Sequence, residues 1–275
     1  MMKSQERGVF EPGRSDLTGR TALVTGAGRG IGRAIAGALA GSGAAVVLTS
    51  RTPAELAETA DLIRTAGGTA AEVQADVTDP GQVAALHRAA LELTGQVDIV
   101  VNNAGNLISK PFVELPAGER PRSLAPPLTY EDWRSSQAVH VDAAFHVLQA
   151  FAPDMIARRH GRVINIVSTA IGRTVPFTSA YDVAKAALAQ LTRSLAFEWA
   201  RFGVSVNAIA AGQFATRMSA QLHETDWGQA WLQKRIPMRR AGDLAEIGAL
   251  AVVLASDQMP FLTGQVIALD GGETL

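Results

Sequence analysis

The sequence predicts a three-layer α/β fold with a mostly parallel sheet and helices on both faces. Three observations carry the prediction. Short apolar runs recur at 21–25, 45–49, 69–74, 97–101, 163–167, 204–210 and 265–269, each of a length that suits a buried strand. Between them lie helix-length stretches rather than two-residue turns, so successive strands return by crossovers and run parallel. The 275 residues, 47% hydrophobic and 19% charged, are enough to bury one large core.

Residues 1–16 are polar, carry Lys3, Glu6, Arg7, Glu11 and Arg14, and have no apolar run behind them. They are expected to form a flexible leader rather than a secretory signal, with a single domain over 17–275. The first run ends in Gly26-Ala27-Gly28-Arg29-Gly30-Ile31-Gly32, and an Ala-rich helical stretch follows before the second run, which makes a βαβ unit. Pro53 and Pro80 open the next two helices, to about Thr65 and Thr94, on either side of the third run. The fourth run empties into Asn102-Asn103-Ala104-Gly105, small and amide residues that suit either a ligand-binding sheet edge or a plain turn.

Residues 107–128 hold Pro111, Pro116, Pro121, Pro126 and Pro127, too many for a regular element. The stretch reads as a surface excursion, either a substrate-side flap or a tolerated insertion. A long helix is expected over 129–159, the fifth run delivers Ser168, and a loop at 172–178 precedes a helix over 181–202. Helical segments at 218–235 and 243–255 lie between the last two strands.

Composition excludes several classes. A net charge of -1 gives no electrostatic reason to expect nucleic acid or an anionic membrane as a partner. The absence of cysteine removes disulfides, thiolate metal sites and Cys nucleophiles, and no metal is expected. No apolar run is long enough to span a bilayer, and a cytoplasmic location is the default expectation.

The chemistry concentrates in Tyr181-Asp182-Val183-Ala184-Lys185. Four residues apart on a helix, the phenol and the ammonium share one face. A free Tyr has a pKa of about 10, and a close, partly desolvated cation favours the phenolate, which would make Tyr181 a general acid or base. Ser168 offers a hydroxyl for a substrate oxygen if the fold brings it alongside. Tyr and Lys also meet at this spacing by chance on many helices. The Gly-rich turn departs from G-x-G-x-x-G, with Gly26-x-x-x-Gly30-x-Gly32 instead. Between strand and helix, such glycines let backbone amides approach a pyrophosphate, although they also serve ordinary helix capping.

Taken together, these motifs resemble the classical short-chain dehydrogenase/reductase family. Thr25-Gly26-x-x-x-Gly30-Ile31-Gly32 is similar to its cofactor turn, Asp76-Val77 to its adenine-side pair, and Asn102-Asn103-Ala104-Gly105 to its fourth-strand signature. Ser168, Tyr181 and Lys185 match its catalytic set. Gly212 and Thr216-x-Met218 resemble the segment over the nicotinamide, and Asp270-Gly271-Gly272 the C-terminal signature. The resemblance implies a Rossmann fold with seven parallel strands, a bound NADP(H) or NAD(H), and a homotetramer or homodimer. It also implies that Ser168 holds the substrate oxygen, Tyr181 moves its proton, and Lys185 binds the nicotinamide ribose while lowering the Tyr181 pKa.

Two departures stand out. His140 occupies the place of an Asn that links the Lys to solvent, so it either preserves the relay through its main chain, joins it with its imidazole, or only fills space. Ala211 stands where Pro usually precedes Gly212. At the end of the second strand, Ser50-Arg51 replaces the carboxylate that would accept from the ribose hydroxyls; with Arg29 it suits a 2′-phosphate, so NADP(H) is expected over NAD(H). Ile171, Val175, Phe177, Phe214, Leu222, Trp227 and Trp231 suggest an apolar ketone or secondary alcohol as substrate. The rival readings are an NAD-dependent alcohol dehydrogenase and a cofactor-binding protein without turnover.

Overall fold

The structure, a computed structural model, describes residues 15–116 and 126–275, apart from the side chains of Met218 and Gln221. Most of the expected leader and the middle of the proline-rich excursion therefore lie outside the described residues. The strands are β1 Thr21–Thr25, β2 Ala45–Ser50, β3 Thr69–Gln74, β4 Ile99–Asn102, β5 Gly161–Ser168, β6 Val204–Ala211 and β7 Val266–Leu269. The helices are α1 Gly30–Gly41, α2 Pro53–Thr65, α3 Pro80–Thr94, α4 Tyr130–Gln137, α5 Ala143–Arg158, α6 Ser179–Trp199, α7 Ala220–Glu224, α8 Asp226–Arg235 and α9 Leu244–Ala255.

The seven strands form one sheet in the order β3-β2-β1-β4-β5-β6-β7, every pair parallel, as in a Rossmann fold. β6 is buried at every position and β5 at all but Ser168, which is why they read as near-continuous apolar runs rather than alternating ones. Helices α1, α2 and α9 cover one face around Ile35, Leu39, Leu56 and Ile247; α3 and α5 cover the other around Leu86, Val147, Phe151 and Met155, and α6 joins that face through Leu188. The order reverses between β1 and β4, so the carboxyl ends of those strands flank a crevice where the helices diverge to opposite faces.

Two segments differ from the sequence expectation. The fourth strand begins at Ile99 rather than Val97, because the buried Asp98 turns its carboxylate to the Thr21 N–H at 2.9 Å. The helix expected over 129–159 starts with a Thr129–Asp132 capping box but is interrupted by a π turn at Ala138–Asp142. At the base of the excursion, Lys110 N–H donates to the Phe177 carbonyl and Leu128 N–H to the Pro111 carbonyl, both at 2.8 Å. The described ends of the excursion thus lie against the loop that follows β5. Among the described residues, no helix is long and apolar enough to cross a membrane.

Candidate active site

Ser168 is the last residue of β5, and its Oγ accepts from the Ala170 N–H at 3.1 Å, which fixes the hydroxyl at the strand's exit. α6 starts at Ser179, so Tyr181 sits in its first turn with Lys185 one turn further along the same face. Lys185 is 4% exposed; its Nζ donates to the Ile166 carbonyl at 2.7 Å and lies 5.6 Å from the centre of the Tyr181 ring. The three residues proposed from the sequence therefore converge at the C-terminal edge of the sheet.

Their electrostatics differ from the expectation in one respect. Burial pushes the Tyr181 phenol above its ordinary value of 10, opposed by a hydrogen bond with Ser168 and reinforced by Asp182. The expected lowering by Lys185 is absent here: burial dominates the Tyr181 phenol, and burial also brings Lys185 itself down to about 7.

His140 closes the back of this cluster. It is 2% exposed, its Nε2 donates to the Asn106 carbonyl at 2.9 Å, and its ring meets Tyr181 edge-on at 5.3 Å between centroids. Gly105 makes that packing possible, since a Cβ there would stand 2.4 Å from His140 Cε1. Burial first, and the Lys185 charge second, hold the imidazole well below its ordinary value of 6.5, so it is neutral at pH 7.

The crevice between β1 and β4 fits a dinucleotide. A Cβ at Gly32 would stand 2.2 Å from the Gly26 carbonyl oxygen, and one at Gly26 would stand 2.9 Å from Asn103 Nδ2, so both positions require glycine. Gly30 has a φ of 54°, and Ile31 packs against the core beneath the turn. The first turn of α1 has no side-chain cap, which leaves its N–H groups for an anion. Opposite, the Thr25 hydroxyl accepts from the N–H groups of Asn103 (2.9 Å) and Ala104 (3.0 Å) and donates to the Val101 carbonyl (3.3 Å). Gly212 lies under the C-terminal segment, where a Cβ would stand 2.7 Å from Asp270 Cα. Thr216 lies over the Gly30 turn, where a Cβ added at Gly30 would stand 3.4 Å from its Cγ2, while the side chain of Met218 lies outside the described residues.

The family model described as Enoyl-(Acyl carrier protein) reductase matches residues 26–274. Oxidoreductase UcpA of Escherichia coli K12 is 38% identical over 94% of this chain and 96% of its own. Gluconate 5-dehydrogenase of Gluconobacter oxydans is 36% identical over 97% and 99%. Among solved structures, a gluconate 5-dehydrogenase from Burkholderia cenocepacia in complex with NADP and tartrate superposes with a TM-score of 0.85, at 37% identity over 95% of this chain and 97% of that one. The chain belongs to the classical short-chain dehydrogenase/reductase family. It is an oxidoreductase that works on an alcohol/carbonyl pair.

Within this short-chain dehydrogenase/reductase, the end of the crevice beside β2 is more crowded with charge than the sequence suggests. Arg51 is 75% exposed on its side chain, with Nη1 3.9 Å from Asp76 Oδ2. Ser50 bonds locally to Thr52, Asp76 is engaged by the Thr78 N–H and hydroxyl, and Val77 is buried in the core. Arg29 Nη1 lies 3.4 Å from Glu55 Oε1, and Arg217 Nη1 lies 3.5 Å from the same oxygen. Glu55 is the first carboxylate after β2 in the sequence, but its meeting with Arg29 and Arg217 was not readable there, because only the fold brings α2 and the segment after β6 to the Gly-rich turn. Asn165 escaped the sequence reading, although a polar residue inside an apolar strand was a visible signal: it accepts from Asn102 and donates to Thr192 at the sheet's centre.

Of the apolar residues expected around the substrate, Ile171, Val175 and Phe177 are partly buried on the loop after β5. Leu222 is partly buried on α7, Phe214 is core, Trp227 is 68% exposed, and Trp231 lies under the Arg235 guanidinium. Arg173 donates to the Glu273 carbonyl and His223 lies 3.1 Å from the Phe214 carbonyl, so both tie down loops.

Proposed function

We propose that this chain is an NADP(H)-dependent carbonyl reductase or alcohol dehydrogenase working through Ser168, Tyr181 and Lys185. The observation that carries the reading is the placement of Lys185, held by the Ile166 carbonyl two residues before Ser168 and beside the Tyr181 ring. Ser168 orients the substrate oxygen. Tyr181, protonated at neutral pH, would donate its proton in the reductive direction as that oxygen gains charge. Lys185 would stabilise the phenolate so formed and would hold the nicotinamide ribose. His140 is a positioning residue: neutral and fixed by Asn106, it sets the wall against which the Tyr181 ring rests. The bound dinucleotide supplies the hydride chemistry at the substrate carbon.

The dinucleotide would be held by Gly26, Gly30, Ile31 and Gly32 at the pyrophosphate, by Asp76 and Val77 at the adenine, by Asn103, Ala104 and Gly105 just after β4, and by Gly212, Thr216 and Met218 in the segments that follow β6. Arg29, Ser50 and Arg51 would meet the 2′-phosphate. The NADP held by the Burkholderia relative supports this choice over NAD(H). Ile171, Val175 and Phe177 support an apolar ketone as substrate. The gluconate relatives favour a second reading, a polyhydroxylated acid. Exposed Phe145 on α5 and Phe197 on α6 support a homo-oligomer.

The test is Tyr181→Phe, assayed by nicotinamide absorbance with apolar ketones and with keto sugar acids. Turnover is expected to fall by about 10²–10⁴-fold with NADPH binding retained. Retained turnover would overturn the proton-donor role, and a wild type that binds NADPH but turns over neither substrate set would overturn both substrate readings.

A further inference from the structure

We infer that Glu55 is a specificity-determining residue that narrows the protein's preference for NADP(H) over NAD(H). The inference rests on the NADP(H) reading above and deepens it. Glu55 lies in the first turn of α2, and its carboxylate meets two guanidiniums, Arg29 from the Gly-rich turn and Arg217 from the loop after β6. A Cβ at Gly28 would stand 2.8 Å from Glu55 Cβ, so the glutamate is packed directly against the turn rather than trailing into solvent. Its side chain is 27% exposed, against 51% for Arg29 and 76% for Arg217. The carboxylate is thus the least accessible member of the trio, and the two cations come to it.

This arrangement matters for a 2′-phosphate. The cations that would answer the dianion are Arg29 and Arg51, with Ser50 beside them, and Arg29 already spends part of its charge on Glu55. A phosphate arriving at Arg29 must either displace the carboxylate or remain near it, and like charges in one site repel. The 2′-hydroxyl of NAD(H) meets no such repulsion, and a carboxylate is a natural acceptor for a ribose hydroxyl. Glu55 therefore costs the phosphorylated cofactor affinity without costing the other. Replacing it with a neutral isostere also releases Arg217 as a further cation for the phosphate.

The experiment is calorimetric binding of adenosine 2′,5′-bisphosphate and of 5′-AMP, which differ only in the 2′-phosphate, to the wild type, Glu55→Gln and Asp61→Asn. Asp61 is an exposed α2 carboxylate paired with Arg64 and serves as a charge-matched control. Glu55→Gln is expected to tighten the bisphosphate about fivefold and 5′-AMP by much less, the size of one partly exposed charge interaction, with no change in Asp61→Asn. The gain should shrink in high salt. If wild type prefers the bisphosphate but Glu55→Gln moves both ligands equally or neither, this inference falls and the NADP(H) reading stands. If wild type binds 5′-AMP as tightly as the bisphosphate, both fall. An equal gain in Asp61→Asn would show a general charge effect and would also overturn the role of Glu55.

Discussion

Lys185 shows what the site costs at the level of a single residue. Its ammonium is buried with one carbonyl partner, and its pKa of about 7 against an ordinary 10.5 means that the folded state resists a proton that the unfolded chain accepts readily. Between those values the unfolded state binds more protons, so the protein gains stability as pH rises from 7 towards 10.5, and the penalty is fully present below 7. It amounts to roughly 5 kcal/mol as an upper bound. Lys185→Met should therefore raise the thermal midpoint of the cofactor-free protein at pH 7 while abolishing turnover, and the gap between variant and wild type should close by pH 10. A lower midpoint for the variant at pH 7 would show that the bond to Ile166 outweighs the buried charge. The pairing of Tyr181 with Lys185 was legible from spacing alone because helix geometry is local. The sign of the Tyr181 shift was not, because burial is set by segments far away in sequence.

At the level of elements, the rod from Tyr130 to Arg158 carries the departure at His140. The sequence reads as one helix, and the Thr129–Asp132 capping box marks its start correctly. The π turn at 138–142 left no trace, since one extra residue per turn changes which face a side chain joins without breaking helical character. That turn seats His140 over Gly105 and against Tyr181, where burial keeps it neutral. His140→Asn is therefore expected to leave the acidic limb of the kcat/KM profile in place, because no imidazole proton is being read there. An acidic limb displaced in the variant would show that His140 titrates during turnover. Gly105 itself was legible only as part of a motif; the ring above it gives the physical reason for glycine.

Across the whole molecule, the strand count, the parallel sheet and the position of the crevice were legible because each strand is an apolar run and each crossover a helix. Contacts between distant segments were not, and the C-terminal segment shows why. Asp270-Gly271-Gly272 was readable as a motif, but its work is done by Glu273, which is 1% exposed. Its carboxylate receives Arg235 from the end of α8 and the Thr169 hydroxyl next to Ser168, and its carbonyl receives Arg173 from the loop after β5. The last residues thus tie α8 and the exit of β5 to the sheet. Arg235 has a side chain only 16% exposed, with Nη2 unpartnered among the described residues, so its charge depends on Glu273. Glu273→Gln preserves shape but removes the countercharge, which should cost about 3 kcal/mol and lower the melting temperature by roughly 5–10 °C. Because the loosened segments flank Ser168 rather than carry the proton, KM should rise more than kcat falls. An unchanged melting temperature would mean that Arg235 finds another partner, and a fall in kcat alone would place Glu273 closer to the chemistry than its contacts do.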